Sequence, residues 1–242
     1  MADSIYEQIK ERFSGICREH DLMDRSVQIK ARTLTVAEAI GDPEADDFPL
    51  QQGKERLMQA DFQGASGQAF TDRFGDYEGL LQDIIEQPLT NNFRRAVFTA
   101  TLNAVLRYLD RTDRTIHCHN AEPAQCALEL ADFIEKEYGP VKITQVGFQP
   151  AMVEKLNRRF SYRVLDLDPE NIGTEKRGAR IEGPETSADA IEWADLLLVT
   201  GTTIVNGTIE SFLTGKPILF YGTTIAGAAD LMGWRRFCAR GK

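Results

Sequence analysis

Residues 194–224 read ADLLLVTGTTIVNGTIESFLTGKPILFYGTT, and this stretch decides the fold of the chain. Two continuous apolar runs, Leu196–Val199 and Pro217–Tyr221, each lead into a Gly-Thr-Thr loop, and the helix-length segment Ile204–Leu213 separates them. Apolar runs without alternation, joined by a helix, are typical of parallel strands buried on both faces. Ligands bind beyond the carboxyl ends of such strands. The stretch therefore predicts a parallel sheet and also the edge at which a ligand binds.

The alternation of strands and helices extends through the second half of the chain. The hydrophobic pattern predicts helices over Glu122–Tyr138, Ala151–Phe160, Ser187–Trp193 and Ala226–Met232. It predicts further strands over Lys142–Gly147, Arg163–Asp168, Ala179–Glu182 and Phe237–Cys238. Such alternation indicates an α/β, Rossmann-like, doubly wound and mainly parallel sheet.

The first half of the chain has a different, α+β pattern with a small antiparallel sheet. Its predicted elements are a capped helix over Asp3–Glu19, a strand over Ser26–Val36, an exposed connection over Gly41–Gln52, a β-hairpin over Arg56–Thr71, and helices over Tyr77–Gln87 and Asn91–Leu109. The change of pattern predicts two domains, over residues 1–112 and 113–242.

Composition narrows the class of protein. The chain has 242 residues and a formal net charge of −9, which argues against nucleic acid because phosphate binding needs clustered Lys and Arg. No apolar run approaches the roughly 20 residues that span a bilayer, and the N-terminus does not resemble a signal peptide. The four cysteines form no Cys-x-x-Cys pair. We expect a cytoplasmic protein with no membrane partner; a homo-oligomer stays open.

The loop after the first apolar run is the strongest candidate site. Gly201, Thr202 and Thr203 precede a helix, and the amides from Thr202 to Asn206 are expected to be unpaired and to face a crevice, where they could hold an anion. The side chains of Asn206 and Thr208 could orient that ligand. A structural role, with Thr203 as a cap and Asn206 in a turn, is the alternative. A second Gly-Thr-Thr loop consists of Gly222, Thr223 and Thr224. Because the same loop type occurs twice, ligand binding is favoured over the structural role.

A second candidate segment follows the first parallel strand of this half. Only Gly147 matches the Gly-x-Gly-x-x-Gly fingerprint, so the sequence argues against a conventional NAD or FAD site. Asp166 and Asp168 come about twenty residues later, where Rossmann-type sheets place an acid against a ribose hydroxyl. The same spacing arises in any βαβ unit that ends in a polar turn, so ligand contact and a structural role both stay open.

Soft metal ligands concentrate near the predicted domain boundary. His117, Cys118 and His119 lie together, and Cys238 is expected near the rim of the sheet. Thiolate and imidazole groups suit zinc, copper or nickel. The spacing matches no zinc-finger or zinc-ribbon pattern, however, so a structural role competes with metal binding. No catalytic triad is visible, and the catalytic residues stay unknown.

Residues Ala194–Glu210 resemble the signature of the putative heavy-metal-chelation family, whose members are largely uncharacterised bacterial and archaeal proteins. The Val-Gly-Phe-Gln-Pro turn at 146–150 and the Asp-Leu-Asp-Pro segment at 166–169 are similar to the same family. The resemblance covers Lys142–Gly241 well and the first half more loosely. It implies an enolase-N-terminal-like domain packed on a Rossmann-like domain, with a site in the cleft between them. It also implies these site residues: Gly147, Gln149, Thr202, Thr203, Asn206, Thr208 and, from the first domain, Asn103.

One departure from the family concerns the second loop. Many relatives read Gly-Pro-Ser-Thr-Pro there, whereas this chain reads Tyr-Gly-Thr-Thr-Ile-Ala over residues 221–226. The loop keeps its hydroxyl groups but lacks both prolines, which leaves it less rigid or shaped for another ligand.

Three function hypotheses follow. The leading one is binding of a small anionic ligand, a heavy metal or a metal complex in the interdomain cleft, with a transition metal as the candidate cofactor. The alternative is an enzyme that acts on a nucleotide-like or phosphorylated metabolite in the same cleft. A scaffold or subunit-contact protein would be favoured if both Gly-Thr-Thr loops lay buried in a dimer interface.

Overall fold

A computed structural model of the chain describes residues 4–23, 28–40 and 55–242. Its first half contains a four-stranded antiparallel sheet with strand order β3-β2-β1-β4. The elements of this half are α1 (Ile5–Glu19), β1 (Gln28–Thr33), α2 (Val36–Ile40), β2 (Arg56–Phe62), β3 (Ala65–Thr71), β4 (Tyr77–Leu80), α3 (Leu81–Glu86) and α4 (Asn92–Tyr108). The α+β prediction for this half is confirmed.

The second half is a seven-stranded sheet of order β11-β10-β9-β5-β6-β8-β7, in which only the β7–β8 pair is antiparallel. Its strands are β5 (Lys142–Val146), β6 (Ser161–Leu165), β7 (Glu175–Lys176), β8 (Ala179–Glu182), β9 (Leu196–Thr200), β10 (Ile218–Tyr221) and β11 (Arg236–Phe237). Its helices are α5 (Glu122–Tyr138), α6 (Pro150–Leu156), α7 (Ser187–Trp193), α8 (Thr203–Asn206) and α9 (Ala226–Met232). The chain winds outward from β5 through β6 and then returns to the other side of β5, so the strand order reverses between β5 and β9. The predicted doubly wound α/β sheet is confirmed.

Helix α4 joins the two halves. One side of it packs on the hairpin of β2 and β3, where a Cβ atom on Gly67 would lie 2.2 Å from the backbone nitrogen of Ala104. Its other side contacts α8 and α9. One hydrophobic core therefore runs from Ile9 and Phe98 in the first half to Val205 and Ala228 in the second. The predicted boundary at residue 112 stays a prediction.

Two predicted helices differ from the structure. The segment predicted as a helix over Tyr77–Gln87 begins as strand β4, because its backbone pairs with the edge of β1 and Gly79 disfavours a helix. The helix predicted over Ile204–Leu213 is a single turn, α8, followed by a 3-10 turn at Ile209–Phe212. Gly207 ends α8 in the left-handed conformation at φ 78°, which glycine adopts without steric cost.

Some predictions have no structural test. The predicted connection Gly41–Gln52 lies outside the described residues. None of the helices that the structure describes is long and apolar enough to cross a bilayer. Cytoplasmic location and oligomeric state stay predictions.

Candidate functional site

A cavity of about 940 Å³ opens at the carboxyl ends of β5 and β9, where the strand order reverses. Residues of both halves line it. Every predicted ligand-binding residue except Asn103 is among them: Gly147, Gln149, Asp166, Asp168, Gly201, Thr202, Thr203, Asn206, Thr208, Gly222, Thr223 and Thr224. The residues that were placed at one edge of the sheet by the rule on carboxyl ends of parallel strands therefore line one cavity.

The two Gly-Thr-Thr loops touch each other at the floor of this cavity. A Cβ atom on Gly201 would lie 2.7 Å from the backbone nitrogen of Ile225, so only glycine allows the first loop to approach the second this closely. Within the first loop, Thr203 Oγ1 donates to the carbonyl oxygen of Thr200 at 2.8 Å, and Thr200 Oγ1 lies 2.9 Å from Thr202 Oγ1. Most hydroxyls of the first loop therefore hold the loop itself.

The expectation of unpaired amides after β9 is wrong for most of that turn. The N–H of Ile204 donates to the carbonyl oxygen of Gly201, and the N–H groups of Val205 and Asn206 both donate to that of Thr202. Because α8 has only four residues, these bonds use the amides that were expected to hold an anion. The backbone amides of this turn donate within the turn, so few of them are available to an anion.

Asn103 lies under the second loop instead of facing the cavity. Its side chain is fully buried, and Nδ2 donates to the carbonyl oxygens of Gln68, Thr223 and Thr224 at 2.9, 3.2 and 3.1 Å. The backbone N–H of Phe70 in β3 donates to Thr224 Oγ1 at 3.1 Å. These contacts tie the second loop to the first half of the chain, so Asn103 shapes the cavity without lining it.

Thr223 is the exception among these threonines. The residue is 1% exposed and lines the cavity, yet Oγ1 has no hydrogen-bond partner in the described part of the chain. A buried hydroxyl without a partner costs free energy, which a ligand atom at this position would recover.

Asp166 and Gln149 have structural partners as well as cavity contact. Both carboxylate oxygens of Asp166 accept backbone hydrogen bonds, from Phe148 at 2.6 Å and from Asp168 at 2.7 Å. The side chain of Gln149 caps α6 by accepting from the backbone N–H of Met152 at 2.6 Å. A ribose contact by Asp166 would therefore have to share oxygens that already hold the turns after β5 and β6.

The first half contributes two acids to the cavity that no sequence motif indicates. Glu55 precedes β2 and Asp72 follows β3, and both line the same cavity as Asp166 and Asp168. Burial raises the pKa of Glu55 to about 7, and the charges of Asp166, Asp72 and Asp168 add to this rise. Only the pairing of the hairpin with the second half brings these acids together, so no local motif could reveal them.

The structure brings three of the four predicted soft metal ligands to the cavity. His117, Cys118 and Cys238 line it together with Cys126, whereas His119 does not line it. The segment around these histidines forms no strand. His117 Nδ1 has no hydrogen-bond partner among the residues that the structure describes.

The ionisation of the thiols opposes direct metal binding, whereas a lowered pKa keeps the imidazole of His117 in the neutral form that binds metals. Burial raises the pKa of the Cys118 and Cys126 thiols and lowers the pKa of His117 to about 4. Thiols bind metals as thiolates, so a metal would first have to displace their protons. In the part of the chain that the structure describes, no three His, Cys, Asp or Glu side chains form a group that could hold a metal ion.

Comparison with known proteins agrees with this fold. Residues 130–220 match the model of the DUF364 family, described as putative heavy-metal chelation. A DUF364 protein of unknown function from Pyrococcus horikoshii is 16% identical, with a TM-score of 0.58 over 91% of this chain and 80% of that one. A second, from Desulfitobacterium hafniense, is 15% identical, with a TM-score of 0.51 over 73% of this chain and 72% of that one. A search of curated proteins found no match.

The two solved structures show a shared fold and no function. The family match runs from within α5 into β10, so it covers the first Gly-Thr-Thr loop and the turns after β5 and β6 but ends before the second Gly-Thr-Thr loop and β11. The enolase-like character of the first half stays a prediction. Residues 130–220 thus match the model of the putative heavy-metal-chelation family, and they contain the Thr-Gly-Thr-Thr-Ile-Val-Asn-Gly-Thr segment on which the predicted resemblance rests.

Proposed function

We propose that this protein binds a small metal complex, or another molecule of that size, in the cleft between its two halves. The observation that carries the proposal is the cavity of about 940 Å³ at the point where the strand order reverses. Cavities of roughly 300–1,000 Å³ are typical of small-molecule sites. The family description supports a metal as part of the ligand.

A complex fits this cleft better than a bare ion. A bare ion needs converging donors, and the described residues contain no such group. Mixed polar and apolar walls suit an organic chelator, whose body can lie against Phe148, Met152 and Phe237. The metal is then cargo held by its own chelator, and Cys118 and His117 need not ligate it.

A phosphorylated or nucleotide-like substrate has less support. No Lys or Arg belongs to the described residues that line the cavity, and the amides of α8 are already paired. Phosphate groups need such donors because their charge must be balanced when they leave water. Binding therefore takes precedence over the enzyme hypothesis.

The proposal is tested by titrating untagged protein with metal complexes of different charge. The probes are free Zn²⁺, the nickel bis-histidine complex, ferric citrate and hexaamminecobalt(III), followed by calorimetry. We expect at least one complex to bind with 1:1 stoichiometry and more tightly than free Zn²⁺. The cavity-filling variant Asn206→Trp should lower that affinity at least tenfold, because Asn206 lines the cavity and its side chain is half-buried.

The control variant is Lys136→Trp, which adds the same side chain at an exposed position of α5 outside the cavity. It should bind like the wild type. Absence of binding by every complex, or equal binding by Asn206→Trp, would refute the proposal.

A further inference from the structure

We propose that the ligand of this cavity carries a positive charge and presents it to a wall formed by Glu55, Asp72 and Asp166. This inference rests on the proposed function, since it assumes that the cavity binds a small molecule. It assigns the sign of the charge on the ligand, which the family description leaves open. The proposed sign is opposite to that of the anionic ligand expected from the sequence.

The three acids come from different parts of the fold. Glu55 and Asp72 flank the β2–β3 hairpin of the first half, and Asp166 follows β6 of the second half. They line one cavity, although nothing in the hairpin or in β6 alone requires them to meet. Like charges in one cleft repel each other, and a cation between them would turn this cost into an attraction.

The described basic side chains near the cavity donate hydrogen bonds to groups other than the three acids. Arg95 donates to the carbonyl oxygens of Val205 and Leu89 at 2.6 and 2.9 Å. Lys176 donates to Asn171 Oδ1 at 2.6 Å. Neither residue lines the cavity. Among the described residues, no side chain donates a hydrogen bond to the Glu55 carboxyl group, and Asp72 accepts only from the neutral amide of Asn92, at 2.6 Å.

The hydroxyl group of Thr223 supports a bound ligand independently of charge. It is buried on the wall of the same cavity, and none of the described residues is its hydrogen-bond partner. A polar atom of a bound ligand would satisfy this hydroxyl, which can either donate or accept. Together with the apolar side chains of Phe148, Met152 and Phe237, this describes a ligand with a cationic end, a polar atom and an apolar body.

Glu55 gives the inference a measurable consequence. Burial and the neighbouring carboxylates raise the pKa of Glu55 to about 7. Asp72, Asp166 and Asp168 are the charged groups that face it, and all act in the same direction. A cation would favour the ionised form of Glu55, so binding should release a proton, and the affinity should rise between pH 6 and pH 8.

The test uses two pairs of probes that differ in charge but little in shape. The metal pair is hexaamminecobalt(III) and hexacyanocobaltate(III), both of which exchange their ligands slowly. The organic pair is 2-phenylethylamine and 3-phenylpropionate. Affinities are measured by calorimetry in buffers of different ionisation enthalpy. The proteins compared are the wild type, Glu55→Gln, Asp72→Asn and a control. The control is Glu11→Gln, which alters an exposed acid of α1 outside the cavity.

We expect the cation of at least one pair to bind at least tenfold more tightly than its anion. Glu55→Gln and Asp72→Asn should each lower that affinity at least fivefold, and Glu11→Gln should leave it unchanged. A preference within the cobalt pair alone identifies a metal complex, and a preference within the organic pair alone identifies an organic ammonium ion.

The two proposals fail in different ways. An anion that binds as tightly as its cation, and is displaced by Asn206→Trp, would refute the positive charge while leaving the cavity as a binding site. Cation binding that Glu55→Gln and Asp72→Asn do not weaken would refute the acidic wall. Absence of binding by all four probes would count against both proposals.

Discussion

Asn103 Oδ1 accepts a hydrogen bond from the backbone N–H of Gly227 at 2.7 Å, and this contact joins helix α4 to the start of helix α9. The same side chain donates to the carbonyl oxygens of Gln68, Thr223 and Thr224. One amide group thus satisfies polar atoms of the hairpin, of the second Gly-Thr-Thr loop and of α9. The shape of the cavity therefore depends on a residue that does not line it.

Asn103→Ala should destabilise the protein by about 3 kcal/mol. The substitution leaves the N–H of Gly227 and up to three carbonyl oxygens without their partner in a buried site, and each unsatisfied group costs about 1–3 kcal/mol, partly relieved by water. Urea unfolding would measure the change. Gln82→Ala, at an exposed position of α3, is the control and should cost less than about 0.5 kcal/mol. A similar cost for both variants would contradict the role of Asn103.

Gly67→Ala should be at least as damaging, for a steric reason. A Cβ atom at this position would lie 2.2 Å from the nitrogen of Ala104 and 2.5 Å from the carbonyl oxygen of Ala100, so α4 would have to move away from β3. Overpacking of this kind costs about 1–3 kcal/mol or more. Gly15→Ala is the matched control, because it lies on the exposed face of α1 with nothing within 4 Å.

The control should stabilise the protein by about 0.5–1 kcal/mol, since alanine favours a helix. The two glycine variants should therefore shift the thermal midpoint in opposite directions. Shifts of the same sign would show that α4 and β3 are not in contact through Gly67.

The parallel sheet was predictable because its signals are local. Each buried strand is one apolar run, and the rule on carboxyl ends then places Thr202 and Gly147 at one edge. The acids Glu55 and Asp72 were not predictable, because they reach the cavity only through packing of the hairpin on α4 and of α4 on the second half. The role of Asn103 was hidden for the same reason, since a polar residue inside an apolar helix does not reveal its partners.

Glu55 should make stability decrease as the pH rises. Its pKa is about 7 in the folded protein, against an ordinary value of 4.5, so between these values the folded state binds more protons than the unfolded state. The stabilisation present below pH 4.5 is therefore lost as the pH rises through 7. Glu55→Gln should remove this dependence and gain about 1–3 kcal/mol relative to the wild type between pH 5 and pH 8. Urea unfolding at the two pH values would measure it, and a constant difference between the two proteins would contradict it.

His117 should act in the opposite direction, at acidic pH. Burial lowers its pKa from 6.5 to about 4, so the unfolded state binds more protons between these values. The stabilisation from neutral His117 is fully present above pH 6.5 and is lost as the pH falls towards 4.

His117→Phe removes the titrating group and keeps a ring beside Phe70, whose centroid lies 5.2 Å from that of the imidazole. The variant should lose about 1–3 kcal/mol less stability than the wild type between pH 7 and pH 4.5. Denaturant unfolding across this range, with Glu55→Gln as the background to remove the opposing titration, isolates the effect. If the two proteins lose equal stability in acid, the imidazole is not buried in its neutral form, and the cavity wall around Cys118 is wetter than its packing indicates.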